Sequence, residues 1–220
     1  IPHQDVVVTL SQRGYIKRVP CDTFRLQHRG GRGIQGVGSR DADGARLLLV
    51  ADTHDYLLFF TNRGRVFQLR SYNLPADASR TARGTPLISL LDSMDAKEQV
   101  TEMVPVIEFT PGLYMIMATS KGEIKKTSLK EFTNIRSSGL IAMDLAESDD
   151  LVSVRLAGEG EDAVLVTKQG QAVRFNTDTL RSASRSSGGV RGVRLEPKDS
   201  VVTMDIISAD GYLLTISLNG

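Results

Sequence analysis

The sequence predicts an all-β protein assembled from repeats of about fifty residues, arranged in the manner of propeller blades. Three observations predict this class: a strand–turn–strand motif that recurs, a small-residue corner that keeps the same interval, and the lack of a convincing amphipathic helix. Each repeat then offers about four short strands, which is typical of a blade. A β-sandwich with accidental similarity is the alternative, and two independent motifs in step over four copies disfavour it.

The first motif is an apolar strand, a hydroxyl residue, two polar residues, glycine and a second short strand. Its period of two and its glycine-containing link predict a β-hairpin, with glycine suited to positive φ in the turn. The copies begin near residues 6, 57, 115, 163 and 213. Their glycines, each preceded at three positions by the hydroxyl residue, are Gly14 (Ser11), Gly64 (Thr61), Gly122 (Thr119), Gly170 (Thr167) and Gly220 (Ser217).

The second motif is a corner of small residues followed by an apolar strand. It covers residues 29–37, 82–90, 137–145 and 187–195, with glycines at Gly33, Gly84, Gly139 and Gly189. A fifth repeat only begins before the last residue, and the chain starts at Ile1 without an initiator methionine. We therefore expect residues 1–220 to form a single repeat-built domain that is part of a longer protein and incomplete at its C-terminal end.

Composition narrows the function classes. At 220 residues the chain can bury a core without metals or disulfides, and its single cysteine, Cys21, fits a reducing cytoplasm. Apolar runs such as 47–51 are too short to span a bilayer, and the start of the chain does not resemble a signal peptide. An aromatic content of 5% without tryptophan argues against binding single strands by base stacking.

Charge follows the repeat, although the net charge is only +1. The hairpin-to-corner segments 11–40, 61–90, 119–140 and 168–194 hold 23 of the 27 basic residues and 5 of the 26 acidic ones. If blades surround a ring, a charge at one phase of the repeat becomes a band on one surface. We interpret this band as a basic track for a polyanion. Solvated hairpins that merely favour Arg and Lys are the alternative.

Two features favour the track. The fourth residue after the hairpin glycine is basic in three of four copies: Arg18, Gln68, Lys126 and Arg174. Small residues beside the cations would let backbone amides approach phosphates; they include Gly30, Gly31, Gly84, Gly139, Ser186 and Ser187. Because no recognition helix or finger is evident, such a track would bind the DNA backbone and not its sequence.

Motifs for catalysis or metal binding fail on context. GRGIQG at 31–36 matches a dinucleotide fingerprint but lacks the flanking strand and helix, and DADG at 41–44 lacks the remaining ligands of a calcium loop. His3, His28, His54 and Cys21 do not have zinc-type spacing. We expect no active site and no metal in this chain.

QHRGGRG at 27–33 resembles the GyrA box of the DNA gyrase A family, whose usual form is QRRGGKG. The similarity continues through DVVVTLSQRGYIKR, LLFFTNRGRVFQLRSYNLP, ARGTPLISLL and MATSKGEIKKTSLKEF, and covers essentially the whole chain. It implies a β-pinwheel, a propeller relative whose adjacent blades exchange strands and usually number six. It also implies a non-catalytic C-terminal domain that wraps duplex DNA chirally, without sequence specificity, so that the ATP-driven enzyme introduces negative supercoils.

The box departs from the usual form at two positions. His28 stands where Arg is usual and is mostly neutral at pH 7, while Arg32 replaces Lys and keeps the charge. The resemblance places Arg29 and Arg32 first among DNA contacts, and the repeated cations along the track next, on the expectation that they are exposed. The predicted DNA-binding set is Gln27, His28, Arg29, Gly30, Gly31, Arg32, Gly33, Arg18, Arg65, Lys125, Lys126, Arg174 and Arg191.

The resemblance further implies partners and a location. They are double-stranded DNA, the rest of gyrase A as a homodimer, and gyrase B in an A2B2 assembly, in the cytoplasm at the nucleoid and away from membranes. This domain would need no cofactor, whereas the holoenzyme would use ATP and Mg²⁺. Two alternatives stay open: the corresponding domain of topoisomerase IV, which typically lacks an intact box, and a propeller that binds proteins and has no DNA role.

Overall fold

The computed structural model describes residues 1–24, 43–76, 81–208 and 210–211, which form fifteen β-strands and five short 3-10 turns. The strands are β1 Asp5–Ser11, β2 Tyr15–Pro20, β3 Ala45–Asp52, β4 Tyr56–Thr61, β5 Arg65–Arg70, β6 Thr85–Pro86, β7 Val100–Val106, β8 Tyr114–Thr119, β9 Glu123–Ser128, β10 Leu140–Ile141, β11 Leu151–Ala157, β12 Asp162–Thr167, β13 Ala172–Asn176, β14 Val190–Arg191 and β15 Val201–Ile207. The 3-10 turns are Cys21–Thr23, Ser71–Asn73, Leu87–Ser89, Leu129–Phe132 and Thr177–Thr179.

The first motif forms the four expected hairpins, β1–β2, β4–β5, β8–β9 and β12–β13. The repeated hydroxyl has a structural cause, because its oxygen accepts the N–H of the residue after the glycine. The four donor–acceptor pairs are Tyr15–Ser11 (3.0 Å), Arg65–Thr61 (3.3 Å), Glu123–Thr119 (3.1 Å) and Gln171–Thr167 (3.1 Å). The hairpin glycines have φ between +74° and +89°, a conformation that other residues adopt at a cost.

The strands form four small antiparallel sheets, with orders β3-β1-β2-β6, β10-β5-β4-β7, β11-β8-β9-β14 and β13-β12-β15. In each of the first three, a hairpin and the strand that follows it are joined by a two-residue strand from the corner of the next repeat. The predicted all-β class with exchange of strands between successive blades is therefore confirmed. In the fourth sheet, three strands lie within the described residues.

The corner glycines within the described residues, Gly84, Gly139 and Gly189, lie where a side chain would clash with neighbouring atoms. A Cβ on Gly84 would be 2.4 Å from the Ile16 carbonyl oxygen, and one on Gly139 would be 2.8 Å from the Phe67 ring. Three of the hairpin glycines help to hold the exchanged segment, because their carbonyl oxygens accept its N–H groups. These bonds are Leu87 to Gly14 (2.9 Å), Ala142 to Gly64 (2.7 Å) and Gly192 to Gly122 (2.8 Å).

The chain divides into two compact units. The first contains residues 1–61, 65–108 and 135–140, and its core includes Leu10, Phe59 and Phe67. The second contains residues 62–64, 109–134 and 141–220, and its core includes Ile116, Leu165 and Met204. The described part of the chain has no helix with the length and hydropathy needed to cross a membrane. The predicted box at 27–33 and the fifth repeat at 213–220 lie outside the described residues.

Candidate nucleic-acid interface

The hairpin tips carry exposed cations. Arg13, Arg63 and Lys121 each stand directly before the hairpin glycine, and Lys168 stands two residues before Gly170. At three of the four tips, an acidic side chain of the same repeat accepts a backbone N–H and so fixes the conformation of the turn. The bonds run from Arg13 to Asp43, from Lys121 to Asp149 and from Gln169 to Asp199, each at 3.0 Å. Asp43, Asp149 and Asp199, which lie between the basic segments, therefore stabilise the turns that carry the tip cations.

These tip cations were absent from the predicted set. The signal that could have found them is their position: the residue before the glycine of a two-strand turn lies at its apex, where burial is difficult. Three of the four repeats carry a basic residue there. The prediction followed the fourth residue after the glycine, which lies inside a strand.

The corner segments and the residues that lead into them carry a second group of exposed cations. Arg83, Arg136, Arg181, Arg191 and Arg194 are all exposed. Small or hydroxyl residues accompany them and are also exposed; among them are Ser137, Ser138, Ser186 and Gly188. Of the predicted DNA-binding residues, Arg191 belongs to this group. The box is the corresponding corner of the first repeat in sequence and lies outside the described residues.

Arg18 and Lys126, at equivalent positions, hold the 3-10 turn of the following repeat. The Arg18 guanidinium donates to the Leu74 carbonyl from Nε and Nη2, both at 3.2 Å, and its burial lowers the pKa of the side chain. Lys126 Nζ donates to the Thr177 carbonyl and to Asp178 Oδ1, both at 3.2 Å. Their recurrence therefore has a structural cause within the fold.

The expected exposure of Lys125 and Lys126 is wrong, since they are 2% and 6% exposed. Lys125 Nζ donates to three backbone carbonyls, those of Ala142 (2.8 Å), Arg185 (2.5 Å) and Ser187 (2.8 Å). Burial lowers the pKa of Lys125 to about 8. All three N–H donors of the Lys125 ammonium group thus bind backbone carbonyls, and none is left for a phosphate.

Arg65 is also committed to the protein. Its Nη1 lies 2.9 Å from Glu98 Oε2, whose side chain is fully buried, and its Nη2 donates to the Ser138 carbonyl at 2.6 Å. Arg174 differs, because its side chain is 53% exposed and its Nε pairs with Asp162 at 2.7 Å. That bond lowers the pKa of the Asp162 carboxyl. Arg174 and Arg191 are thus the two exposed members of the predicted set within the described residues.

Over residues 1–24, 43–76, 81–208 and 210–211, no three His, Cys, Asp or Glu side chains are grouped so as to hold a metal ion. Asp43, in the sequence considered and rejected as a calcium loop, accepts the tip N–H of Arg13. Burial, followed by the charges of Asp5 and Asp22, raises the pKa of the Cys21 thiol. Raised pKa values make thiols poorer nucleophiles at neutral pH.

The model of one family, the DNA gyrase C-terminal domain, beta-propeller, matches residues 5–50, 55–106, 113–157 and 161–208. Each matched stretch contains one hairpin and all or most of the long strand that pairs with it, and the two-residue strand that completes each of the first three sheets lies in the next stretch. The chain belongs to the DNA gyrase C-terminal domain family. The DNA gyrase A protein of Dehalogenimonas lykanthroporepellens is 44% identical over 220 residues, covering 100% of this chain and 27% of that protein. The DNA gyrase A protein of Escherichia coli K12 is 40% identical, covering 100% and 25%.

Solved structures of related domains are similar over nearly the whole chain. A structure of a DNA gyrase A C-terminal domain has a TM-score of 0.73 and 25% identity, covering 91% of this chain and 64% of that one. The C-terminal domain of a DNA topoisomerase IV also has a TM-score of 0.73, at 26% identity, covering 95% and 63%. This chain therefore corresponds to the C-terminal part of gyrase A and spans about a quarter of the curated relatives it matches.

Proposed function

We propose that this chain binds duplex DNA without sequence specificity and wraps it chirally, so that gyrase can introduce negative supercoils. The observation that carries the proposal is the placement of exposed cations at the hairpin tips of four repeats and in or just before the corners of the second, third and fourth, within the described residues. Membership of the gyrase C-terminal domain family supports it. The described interface would consist of Arg13, Arg63, Lys121, Lys168, Arg83, Arg136, Arg181, Arg191 and Arg194, together with the exposed Arg174.

The predicted box residues Gln27, His28, Arg29, Gly30, Gly31, Arg32 and Gly33 extend this interface as part of the proposal. Many contacts are needed because bending a site of 20–30 base pairs by 40–90° costs about 1–6 kcal/mol. Each phosphate neutralised should add about 0.9 to the slope of log affinity against log salt. The binding should accordingly weaken steeply as salt rises, with little dependence on base sequence.

The activity of the whole protein is part of the same proposal. This chain would contribute no catalytic group and no cofactor site, and ATP and Mg²⁺ would serve other parts of the enzyme. The remainder of gyrase A as a homodimer, and gyrase B in an A2B2 assembly, would be its protein partners. The location would be the cytoplasm, at the nucleoid.

The test is a topology footprint with the full-length protein that contains this chain. The protein is bound to nicked circular plasmid, the nick is sealed with ligase, the protein is removed and the topoisomers are resolved. We expect a stoichiometric shift towards positive linking number. A variant with Arg29→Glu and Arg32→Glu should lose the shift, whereas one with Lys97→Glu, an exposed lysine outside the tips and corners, should keep it.

The second candidate is the DNA-binding role of a topoisomerase IV domain, which the equal TM-score of that structure favours. Tight, salt-sensitive binding without a shift in linking number would support this candidate and contradict chiral wrapping. A third outcome, no binding even at low salt, would contradict both DNA functions and leave a propeller that binds proteins.

A further inference from the structure

We infer that Lys125 is a positioning residue for DNA binding, which shapes a corner from beneath without touching DNA. The inference rests on the proposed function. Lys125 lies on β9, and its ammonium group binds the carbonyls of Arg185 and Ser187, where the chain enters the corner segment 187–195, and that of Ala142, which follows β10. With 2% of the residue exposed, a phosphate cannot reach it.

The geometry matches the needs of an ammonium group. A protonated lysine has three N–H donors and no acceptor, and Lys125 has three carbonyl acceptors at 2.5–2.8 Å. The carbonyls of Arg185 and Ser187 therefore face the protein interior. A carbonyl oxygen facing outward would repel a phosphate, so an inward orientation leaves the exposed Ser186, Gly188 and Arg191 to form the outer surface.

Other bonds hold the same segment in this shape. Ser187 donates its N–H to the Ser184 carbonyl at 3.1 Å, and the Ser187 carbonyl also accepts the N–H of Asp144 at 3.0 Å. The Arg185 N–H donates to Glu131 at 2.7 Å. Lys125 is the charged member of this network that comes from the underlying strand. It therefore couples the strand to the corner.

The first repeat contains a second copy of the arrangement. Lys17, at the position equivalent to Lys125, is 4% exposed, and its Nζ donates to the Ala82 carbonyl at 3.1 Å. Ala82 directly precedes the exposed Arg83 and the corner glycine Gly84. Two independent repeats therefore place a buried ammonium group under a corner that carries exposed arginine.

The experiment compares two neighbouring buried lysines in the full-length protein. Lys125→Met removes the ammonium group under the corner. Lys126→Met removes the same charge from the next residue of the strand, which holds the 177–178 turn instead. Arg191→Ala reports on an exposed corner cation directly. Affinity for a long duplex is measured across a salt series, below the unfolding temperature of every variant, which calorimetry supplies.

We expect Lys125→Met to weaken DNA binding about tenfold more than Lys126→Met does and to reduce the salt slope by about one, the value for a lost phosphate contact. Lys17→Met provides a second variant if Lys125→Met does not fold, and it should lose affinity through the corner at 82–84. Equal effects of Lys125→Met and Lys126→Met, with a loss in Arg191→Ala, would overturn the positioning role and leave the proposed function intact. Full affinity in all variants, including one with Arg29→Glu and Arg32→Glu, would overturn both.

Discussion

The second strands of the second and third hairpins, β5 and β9, occupy the same place in the repeat but support the next corner differently. On β9, Lys125 binds carbonyl oxygens of the corner. On β5 the equivalent residue is Phe67, whose ring lies under Gly139. A lysine that binds carbonyls and a phenylalanine that packs against glycine thus both support a corner. The comparison teaches that this position can support a neighbouring corner either through a charged side chain or through an apolar one.

The adjacent position shows the same contrast. Lys126 binds the carbonyl and carboxylate of residues 177 and 178, and Arg18 of the first hairpin binds the Leu74 carbonyl. The equivalent residue of β5 is Gln68, whose Nε2 is buried with no hydrogen-bond acceptor within the described part of the chain. Arg18 and Lys126 therefore link their strand to the 3-10 turn of the following repeat by hydrogen bonds. The shorter Gln68 makes no such bond from Nε2 within the described residues.

The largest effect should come from breaking the apolar support. Phe67→Ala removes a fully enclosed ring, and loss of a buried Phe side chain costs about 3–5 kcal/mol of unfolding free energy. Urea unfolding followed by circular dichroism measures it. Phe24→Ala, at a residue 37% exposed, should cost far less. Similar costs for the two variants would mean that the ring under the corner does not contribute to stability.

A smaller effect is expected at the glycine above that ring. Gly139→Ala meets both a φ of +74° and the Phe67 ring, whereas Gly170→Ala meets a φ of +83° with open space around its Cβ. Backbone strain alone should cost about 1 kcal/mol in each. We expect a further loss in Gly139→Ala that Phe67→Leu partly restores. Equal thermal shifts in both alanine variants would show that the ring yields without cost.

The sequence predicted where the hairpins and corners lie, but not which side chains support the corners from beneath. Glycine and hydroxyl spacing identified the hairpins and corners because a turn with positive φ and a bond to Thr or Ser Oγ constrains residue types directly. The burial of Lys125 and Lys126 could not be derived from their recurrence, because cations that bind carbonyls and cations that bind phosphates look alike. One warning existed: adjacent residues of a strand face opposite sides, so both could not face one track.

The predicted second-tier residues divide accordingly. Arg174 and Arg191 are exposed, while Arg18, Arg65, Lys125 and Lys126 are engaged with the protein. DNA contact by any member of the set stays a prediction. The prediction used positions on the second strand of each hairpin and therefore missed the cations at the tips. A turn apex is nevertheless the place where a long side chain most easily reaches a ligand.

A modest gain in stability is expected from replacing Gln68, whose side-chain amide nitrogen is buried. Gln68→Met keeps the length of the side chain and deletes an amide nitrogen that has no hydrogen-bond acceptor among the described residues. Burying an unsatisfied polar group costs about 1–3 kcal/mol, so the variant should unfold at the same or a higher urea concentration. Lys126→Met, at the equivalent position of β9, should unfold at a lower one. A clear loss of stability in Gln68→Met would show that the amide has an acceptor in solution.

The smallest effect is a dependence of stability on pH that distinguishes β9 from β5. Burial lowers the pKa of Lys125 to about 8 from its ordinary value of 10.5, which the unfolded chain retains. Between these values the unfolded chain binds a proton that the folded chain has released, so this group adds stability as pH rises. Glu131, Arg185 and Asp144 surround it and partly offset one another.

Comparison with Lys125→Met isolates this contribution, because every other group titrates in both proteins. The unfolding free energy of the unsubstituted protein should therefore increase relative to that of Lys125→Met between about pH 7.5 and pH 9.5, a range that includes the pKa of Lys125 at about 8. Urea midpoints at each pH measure the difference. A constant difference, or one that shrinks, would mean that the three carbonyls hold the proton strongly enough to cancel the effect of burial. The charged support would then persist throughout the range, and β9 would resemble β5 in being insensitive to pH.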